Sequence, residues 1–175
     1  MRRSALFIAA LFATMPACAG ATGDQHLDIV FDVCEPIAVI APDADAAQLA
    51  SLEAALGMWR AHGVEMAVIA GQADALPTIE VRFAAAAPAF HGVYEDEVGV
   101  VYVNEGLADP TRRTIAIAHE LGHAFGLWHV DAGERPSVMN PGNLDVGPNP
   151  GDQRSLEALW GPCAAAGAPS PRRAP

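Results

Sequence analysis

The sequence predicts a single α+β domain in which helices cover a twisted, mostly parallel sheet. Three short runs rich in β-branched and apolar residues lie at 27–33, 64–69 and 78–83. A helical pattern at 45–62 separates the first run from the second, and a strand, a helix and a strand in succession pair in parallel within one sheet. The 175 residues, 51% of them hydrophobic, suffice for one domain with a sizeable core but not for two.

The first half of the chain supplies the sheet and a backing helix. Apolar and polar residues alternate through part of 27–33, which predicts a strand that Pro36 and Pro42 then end. Over 45–62 the apolar residues recur at helical spacing, and Gly63 follows as the expected C-cap. The apolar stripe that predicts this helix consists of Leu49, Leu52, Ala55, Leu56 and Trp59.

The second half adds two strands and two helices. These elements are predicted at 90–94, 98–104, 111–126 and 152–161. Asp109 and Asp152 stand at the expected N-caps of the two helices, with Pro110 in the first turn of the longer one. Gly161 and Pro162 end the last helix, and the residues of 164–175, rich in alanine and proline, predict a disordered tail.

The chemistry of the sequence is concentrated at 119–129, which reads HExxHxxGxxH. His119 and His123 are four residues apart, so both imidazoles point from one face of a helix. Gly126 tolerates positive φ, which lets the chain reverse and bring His129 back towards the same point. Three histidine ligands leave one zinc coordination position open, as in catalytic rather than structural sites.

Glu120 is the expected general base of this site. It would take the proton of the zinc-bound water as that water attacks a peptide carbonyl, and then pass the proton to the leaving amine. A bare HExxH arises by chance in alanine-rich chains, but the five fixed positions of the extended motif do so in about one chain per hundred thousand or fewer. The motif therefore predicts one catalytic Zn²⁺.

The chain resembles the metzincin clan of zinc peptidases, over residues 29–161. Besides the zinc motif, the segment 137–141 reads SVMNP and is similar to the Met-turn of that clan. Asp152, followed by an apolar pattern that ends in Trp160, resembles the closing helix of matrixin-like enzymes, in which tyrosine is common at the place of Trp160. In two positions the chain departs from better-known families: Val130 follows the third histidine, and Pro141 replaces the tyrosine of astacins and serralysins.

This resemblance implies a matrixin-like catalytic domain with further functional parts. Met139 would form a hydrophobic floor under the three imidazoles. An antiparallel edge strand, for which 89–94 is the candidate, would receive the substrate as an added strand beside the cleft. The loop at 142–150 would pass the cleft, with Leu144 and Val146 as candidates for the wall of a side-chain pocket.

The N-terminal residues 1–21 predict a signal peptide, which leaves 24–163 as the catalytic domain. Arg2 and Arg3 precede an apolar run of about eleven residues, whereas a membrane span needs roughly twenty. Cleavage after Ala19 or Ala21 would give a secreted protein. Alternatively, residues 15–18 read MPAC, similar to a bacterial lipobox, and Cys18 would then carry a lipid anchor.

With Cys18 removed or lipidated, Cys34 and Cys163 remain in an oxidising compartment, where a disulfide between them is expected. The alternative is two unpaired thiols. The disulfide would join the end of the first strand to the end of the last helix and contribute about 4 kcal/mol.

The net charge and the remaining histidines indicate which further molecules and ions the protein binds. A net charge of −11 disfavours nucleic acid as a partner. The resemblance to zinc peptidases implies protein or peptide as the substrate. Carboxylates hold Ca²⁺ in many metzincins, but this chain has no DxDxDG loop that would indicate calcium. His91, beside the acidic residues 95–97, lies where some matrixins hold a second zinc, although a solvated histidine on a loop or edge strand is the simpler interpretation.

Two functions follow from the sequence. The first is a secreted zinc-dependent endopeptidase, and a zinc hydrolase with a different scissile bond is a variant of it. The alternative is a catalytically weak or inactive zinc-binding recognition module of the same fold. The intact Glu120 favours the enzyme over the module.

Overall fold

The computed structural model describes residues 27–71 and 75–163, so the predicted signal peptide at 1–21, with Cys18, and the predicted tail at 164–175 lie outside the described residues. Five strands and three helices make up the described chain. In order they are β1 (Ile37–Ile40), α1 (Ala46–Arg60), β2 (Met66–Val68), β3 (Thr78–Ala84), β4 (Gly92–Glu95), β5 (Val100–Asn104), α2 (Pro110–Ala124) and α3 (Pro150–Trp160).

The strands form one sheet in the order β2-β1-β3-β5-β4. The first four strands in that order pair in parallel, and β4 pairs with β5 in antiparallel orientation. The predicted mostly parallel sheet with an antiparallel edge strand is therefore confirmed. In the described part of the chain no further strand pairs with β4, which also contacts α2.

The strand predicted at 27–33 is wrong. This segment contains only turns and bends, and the first strand, β1, begins directly after Pro36. The apolar residues Phe31 and Val33 are nevertheless buried in the core. The backbone of the segment binds other elements: the Phe31 N–H donates to the Ala124 carbonyl at 2.8 Å. The alternation of apolar and polar residues in 27–33 therefore reflects the burial of some side chains and not pairing with another strand.

Helix α1 packs its apolar stripe against the core. Asp45 caps its first turn in a capping box with Gln48. At the other end the C-cap is Ala61 rather than the predicted Gly63, which lies two residues later with a φ of 89° and turns the chain towards β2. The indole N–H of Trp59 donates to the Ala118 carbonyl at 2.9 Å, which fixes α1 against α2.

Helix α2 carries the first two histidines of the motif, and α3 carries Asp152. Asp109 caps α2 as predicted, and its side chain accepts from the Arg112 N–H. The N-cap of α3 is Asn149, not Asp152 as predicted, because Pro150 supplies the fixed φ of the first helical turn. Asp152 instead occupies the third helical position and completes the capping box with Asn149.

Cys34 and Cys163 are joined in a disulfide, as predicted. The bond closes a loop of 129 residues in sequence separation, between the turn that precedes β1 and the residues just after α3. Because β1 begins later than expected, the bond starts from a turn rather than from a strand end. In the ranges 27–71 and 75–163, no helix combines the length and apolar character needed to cross a bilayer.

Replacing both cysteines by serine is expected to lower the free energy of unfolding by about 4 kcal/mol, because the unfolded chain regains the freedom of a long loop. Denaturant unfolding of the oxidised protein and of Cys34→Ser/Cys163→Ser measures this difference. A reductant should lower the stability of the parent by a similar amount and leave the double variant unchanged. Equal stability of the parent and the double variant would contradict the assigned role of the bond.

Candidate active site

Two structural elements bring the three motif histidines together. Helix α2 presents His119 and His123 one turn apart, and the chain then reverses at Gly126, whose φ is 89°. The reversal is a Schellman motif, because the Gly126 N–H donates to the His123 carbonyl and the Leu127 N–H donates to the Gly122 carbonyl. His129 returns to the helix in this way. Its Nε2 lies 3.2 Å from Nε2 of His119 and 3.3 Å from Nε2 of His123.

The tautomers of the helix histidines leave their Nε2 lone pairs facing one point. Nδ1 of His119 lies 2.7 Å from the Val138 carbonyl, and Nδ1 of His123 lies 2.8 Å from the Leu127 carbonyl. A carbonyl oxygen only accepts, so each Nδ1 carries the proton and donates it. The Nε2 atoms are then acceptors without a proton between them, an arrangement that a cation stabilises.

The spacing of these nitrogens fits zinc. In tetrahedral geometry with Zn–N distances of about 2.0–2.1 Å, neighbouring ligand nitrogens stand about 3.3 Å apart. The two Nε2–Nε2 distances of 3.2 and 3.3 Å match that value. Among the described residues, this trio is the group of three or more histidine, cysteine or acidic side chains arranged to hold a metal ion.

Burial keeps the helix histidines neutral. It lowers the pKa of His123 to about 4, with a further contribution from neighbouring His119. Burial likewise lowers the pKa of His119, although its hydrogen bond to Val138 opposes the effect. Neutral imidazole is the form that binds a metal, so at neutral pH neither of these residues has to lose a proton first.

Glu120 lies beside this cluster with only 7% of its surface exposed. Burial raises the pKa of its carboxyl group to about 7, and a hydrogen bond from the Tyr94 backbone opposes that rise. The carboxylate, which α2 presents, therefore contacts the edge strand β4. The sequence identified Glu120, but nothing in it indicated the contact with β4.

The four motif side chains line an open cleft of about 360 Å³ between α2, β4 and the segment after the Met-turn. Its rim carries apolar side chains that are unusually exposed: Phe90 at 65%, Val93 at 53% and Trp128 at 41%. On the far side the lining residues are Gly142 and Asn143. The predicted wall residues, Leu144 and Val146, are half-buried in the same loop and lie outside this lining.

Met139 is buried beneath helix α2. Its sulfur packs against α2 at Gly122, where a β-carbon would collide with Sδ. Gly122 directly precedes His123, so the thioether lies under the part of the helix that carries the ligands. The small residue in the HExxH motif is thus explained by the methionine that packs on it.

A buried carboxylate holds the Met-turn in place. Asp152 is fully buried, and its oxygens accept from Ser137 Oγ and from the N–H of Val138. They also accept from the N–H of Asn149 and form an ion pair with Arg135 at 2.8 Å. Because the Val138 carbonyl orients His119, Asp152 acts on the metal site through the turn. The sequence showed Asp152 only as a capping residue.

His91, Tyr94 and His62 fall into different environments. His91 lines the cleft, and no metal-binding group in the described residues includes it. Tyr94 is buried and its hydroxyl donates to the Ile29 carbonyl at 2.7 Å, which makes it structural. His62 lies between Gln153 and Pro148 at the start of α3, away from the cleft.

Asp152→Ala is expected to lower the free energy of unfolding by about 3 kcal/mol, because it leaves Arg135 and three other donors without their acceptor. It should also weaken zinc binding about 10- to 100-fold, since the turn that presents the Val138 carbonyl to His119 is no longer held in place. Denaturant unfolding and zinc titration measure the two effects. In the matched control, Glu53→Ala removes an exposed ion pair with Arg60 and should cost less than about 1 kcal/mol. Equal costs for the two variants would contradict the assignment.

Comparison with known proteins agrees with this architecture. No protein-family model matches the chain, and no curated protein sequence does. Among solved structures, the crystal structure of myroilysin is similar, with a TM-score of 0.53 and 10% identity over 75% of this chain and 85% of that chain. A zinc-dependent peptidase from Methanocorpusculum labreanum (strain Z) has a TM-score of 0.49 and 14% identity, over 69% of this chain and 99% of its own. Archaemetzincin from Archaeoglobus fulgidus has a TM-score of 0.43 and 18% identity, over 65% and 92%. At such identities the likeness concerns the fold, which this chain shares with myroilysin.

Proposed function

We propose that the chain is an exported zinc-dependent endopeptidase. The observation that carries this proposal is the convergence of three imidazole Nε2 atoms, at the spacing of zinc ligands, beside the buried carboxylate of Glu120 in an open cleft. The ligands would be His119, His123 and His129. A structural zinc site would have a fourth protein ligand, and none of the described residues completes such a set.

When bound, zinc supplies Lewis-acid chemistry, which activates water at neutral pH and withdraws charge from a carbonyl oxygen. Glu120 then has two tasks. Its carboxylate accepts the proton of the attacking water, and the resulting carboxylic acid returns that proton to the leaving amine nitrogen. Its position one residue after His119 and its burial in the cleft wall support this role.

The edge of β4 supports a peptide as the substrate. In the β4–β5 ladder the Asn104 N–H donates to the His91 carbonyl, so by alternation the backbone groups of Gly92 and Tyr94 point away from β5. The Tyr94 N–H donates to Glu120, so the groups offered to a peptide are those of Gly92 and the Tyr94 carbonyl. An extended peptide can add to this edge as a further strand, through backbone hydrogen bonds that tolerate many sequences. The exposed apolar rim formed by Phe90, Val93 and Trp128 offers contacts for its side chains.

Several features support the finer assignment to a matrixin-like member of the metzincin clan. Met139 lies under the zinc-binding helix, and the indole N–H of Trp160 donates to the Phe125 carbonyl at 2.9 Å, which fixes α3 against the end of α2. A role for Leu144 and Val146 in side-chain selection stays a prediction.

The disulfide between Cys34 and Cys163 supports export, because such bonds persist in oxidising compartments. We place the protein outside the cytoplasm, either secreted after removal of 1–21 or anchored through a lipid on Cys18.

Glu120→Gln should abolish most peptidase activity while zinc binding persists, since it removes the base and keeps the size of the side chain. We expect kcat on casein or a peptide library to fall about 100- to 10,000-fold, with one zinc per chain by metal analysis. Glu53→Gln, an exposed position on α1, is the matched control and should cleave like the parent.

A chelator should likewise stop cleavage, and added zinc should restore it. Cleavage that resists both the chelator and Glu120→Gln would contradict the proposal. Zinc binding and peptide binding without any turnover would favour the recognition module instead.

A further inference from the structure

Strand β4 meets the proposed general base at a glycine. A β-carbon at position 92 would lie 2.8 Å from Cγ of Glu120 and 3.0 Å from its Oε1. The same β-carbon would lie 2.9 Å from the carbonyl oxygen of Tyr102 on β5. Carbon atoms in folded proteins do not approach their neighbours this closely without a shift. Position 92 therefore has no space for a side chain unless β4 or Glu120 moves.

The side chains of β4 alternate between two faces, and position 92 is on the face towards α2. Tyr94, two residues on, is buried on that face, whereas Val93 points outward and is largely exposed. Glu120 thus packs directly on the backbone of the strand at Gly92. Close approach of this kind is a recognised reason for glycine inside a strand, where it otherwise weakens the sheet.

We propose that Gly92 is a positioning residue for Glu120: the missing side chain lets β4 come against α2 and holds the Glu120 carboxylate in its place in the cleft. Gly92 acts through Glu120 and not on the reacting atoms. The catalytic part of this inference rests on the proposed peptidase function, whereas the contact itself does not. The contact fixes the position of Glu120 relative to β4. A peptide that adds to β4 as a further strand is therefore held at a set distance from the Glu120 carboxylate.

A double-mutant cycle in thermal stability tests the contact without any enzymatic assay. Gly92→Ala is made in the full chain and in the Glu120→Ala background, and Tm is measured for all four proteins in zinc-containing buffer. In the Glu120→Ala background Cγ and the carboxylate are gone, while the conflict with the Tyr102 carbonyl remains. We expect Gly92→Ala to lower the Tm of the parent by about 4 °C or more beyond the loss that it causes in the Glu120→Ala background. A difference of this size is typical of a lost packing contact in a chain of this length.

The cycle has a definite contrary outcome. An equal loss of Tm in both backgrounds, including a loss of folding in both, would place the strain in the strand alone and overturn the inference. If the Gly92→Ala protein folds only when Glu120 is also truncated, the contact is supported in its strongest form.

The catalytic part of the inference is tested by steady-state kinetics of Gly92→Ala on a peptide substrate. We expect kcat to fall at least about tenfold, part of what a general base contributes, with KM within about twofold of the parent and one zinc still bound. Gly57→Ala is the matched control, because a β-carbon there would meet nothing nearer than 3.9 Å, and it should retain the parent's kinetics. An unchanged kcat, or a rise in KM alone, would contradict a positioning role. If the parent cleaves no peptide, the proposed function fails while the stability cycle still decides whether Gly92 makes room for Glu120.

Discussion

The convergence of the three motif histidines depends on one constraint, the fixed orientation of two imidazoles by backbone carbonyls. His119 donates to Val138 and His123 donates to Leu127, so each ring turns its Nε2 lone pair towards the same point. The Leu127 carbonyl is available only because the chain reverses at Gly126. This reversal also carries His129 back to within 3.3 Å of both partners. Without the two carbonyls, the motif would be three histidines near one another rather than a ligand set.

Residues 135–163 hold the Val138 carbonyl in the position that orients His119. Asp152 binds the Met-turn at Ser137 and Val138, which holds the carbonyl that orients His119. Arg135 balances the charge of the buried carboxylate. Helix α3, which presents Asp152, is fixed at its far end by Trp160 and by the nearby disulfide of Cys163. In this way, a helix that does not line the cleft helps to hold the histidine cluster.

The sequence predicted the features that depend on local spacing and missed those that depend on distance in space. The zinc motif, its turn at Gly126 and both long helices follow from periodicity and from residue types at fixed intervals. The strand at 27–33 was wrong because burial on alternate residues also occurs in an extended segment without a ladder. The role of Asp152 depends on donors from two separate segments, 135–138 and Asn149, and that of Gly92 on how closely β4 approaches α2. The order of residues along the chain does not reveal how close such distant segments lie in the folded structure.

The most direct test of this account is the coordination of zinc in the loaded protein, measured by X-ray absorption at the zinc edge. The account predicts three imidazole nitrogens at about 2.0–2.1 Å, with a light-atom ligand from solvent in the remaining position. His129→Ala should reduce the imidazole count to two. A sulfur ligand, or a spectrum that His129→Ala leaves unchanged, would show that the third histidine does not join the other two, and would contradict the account.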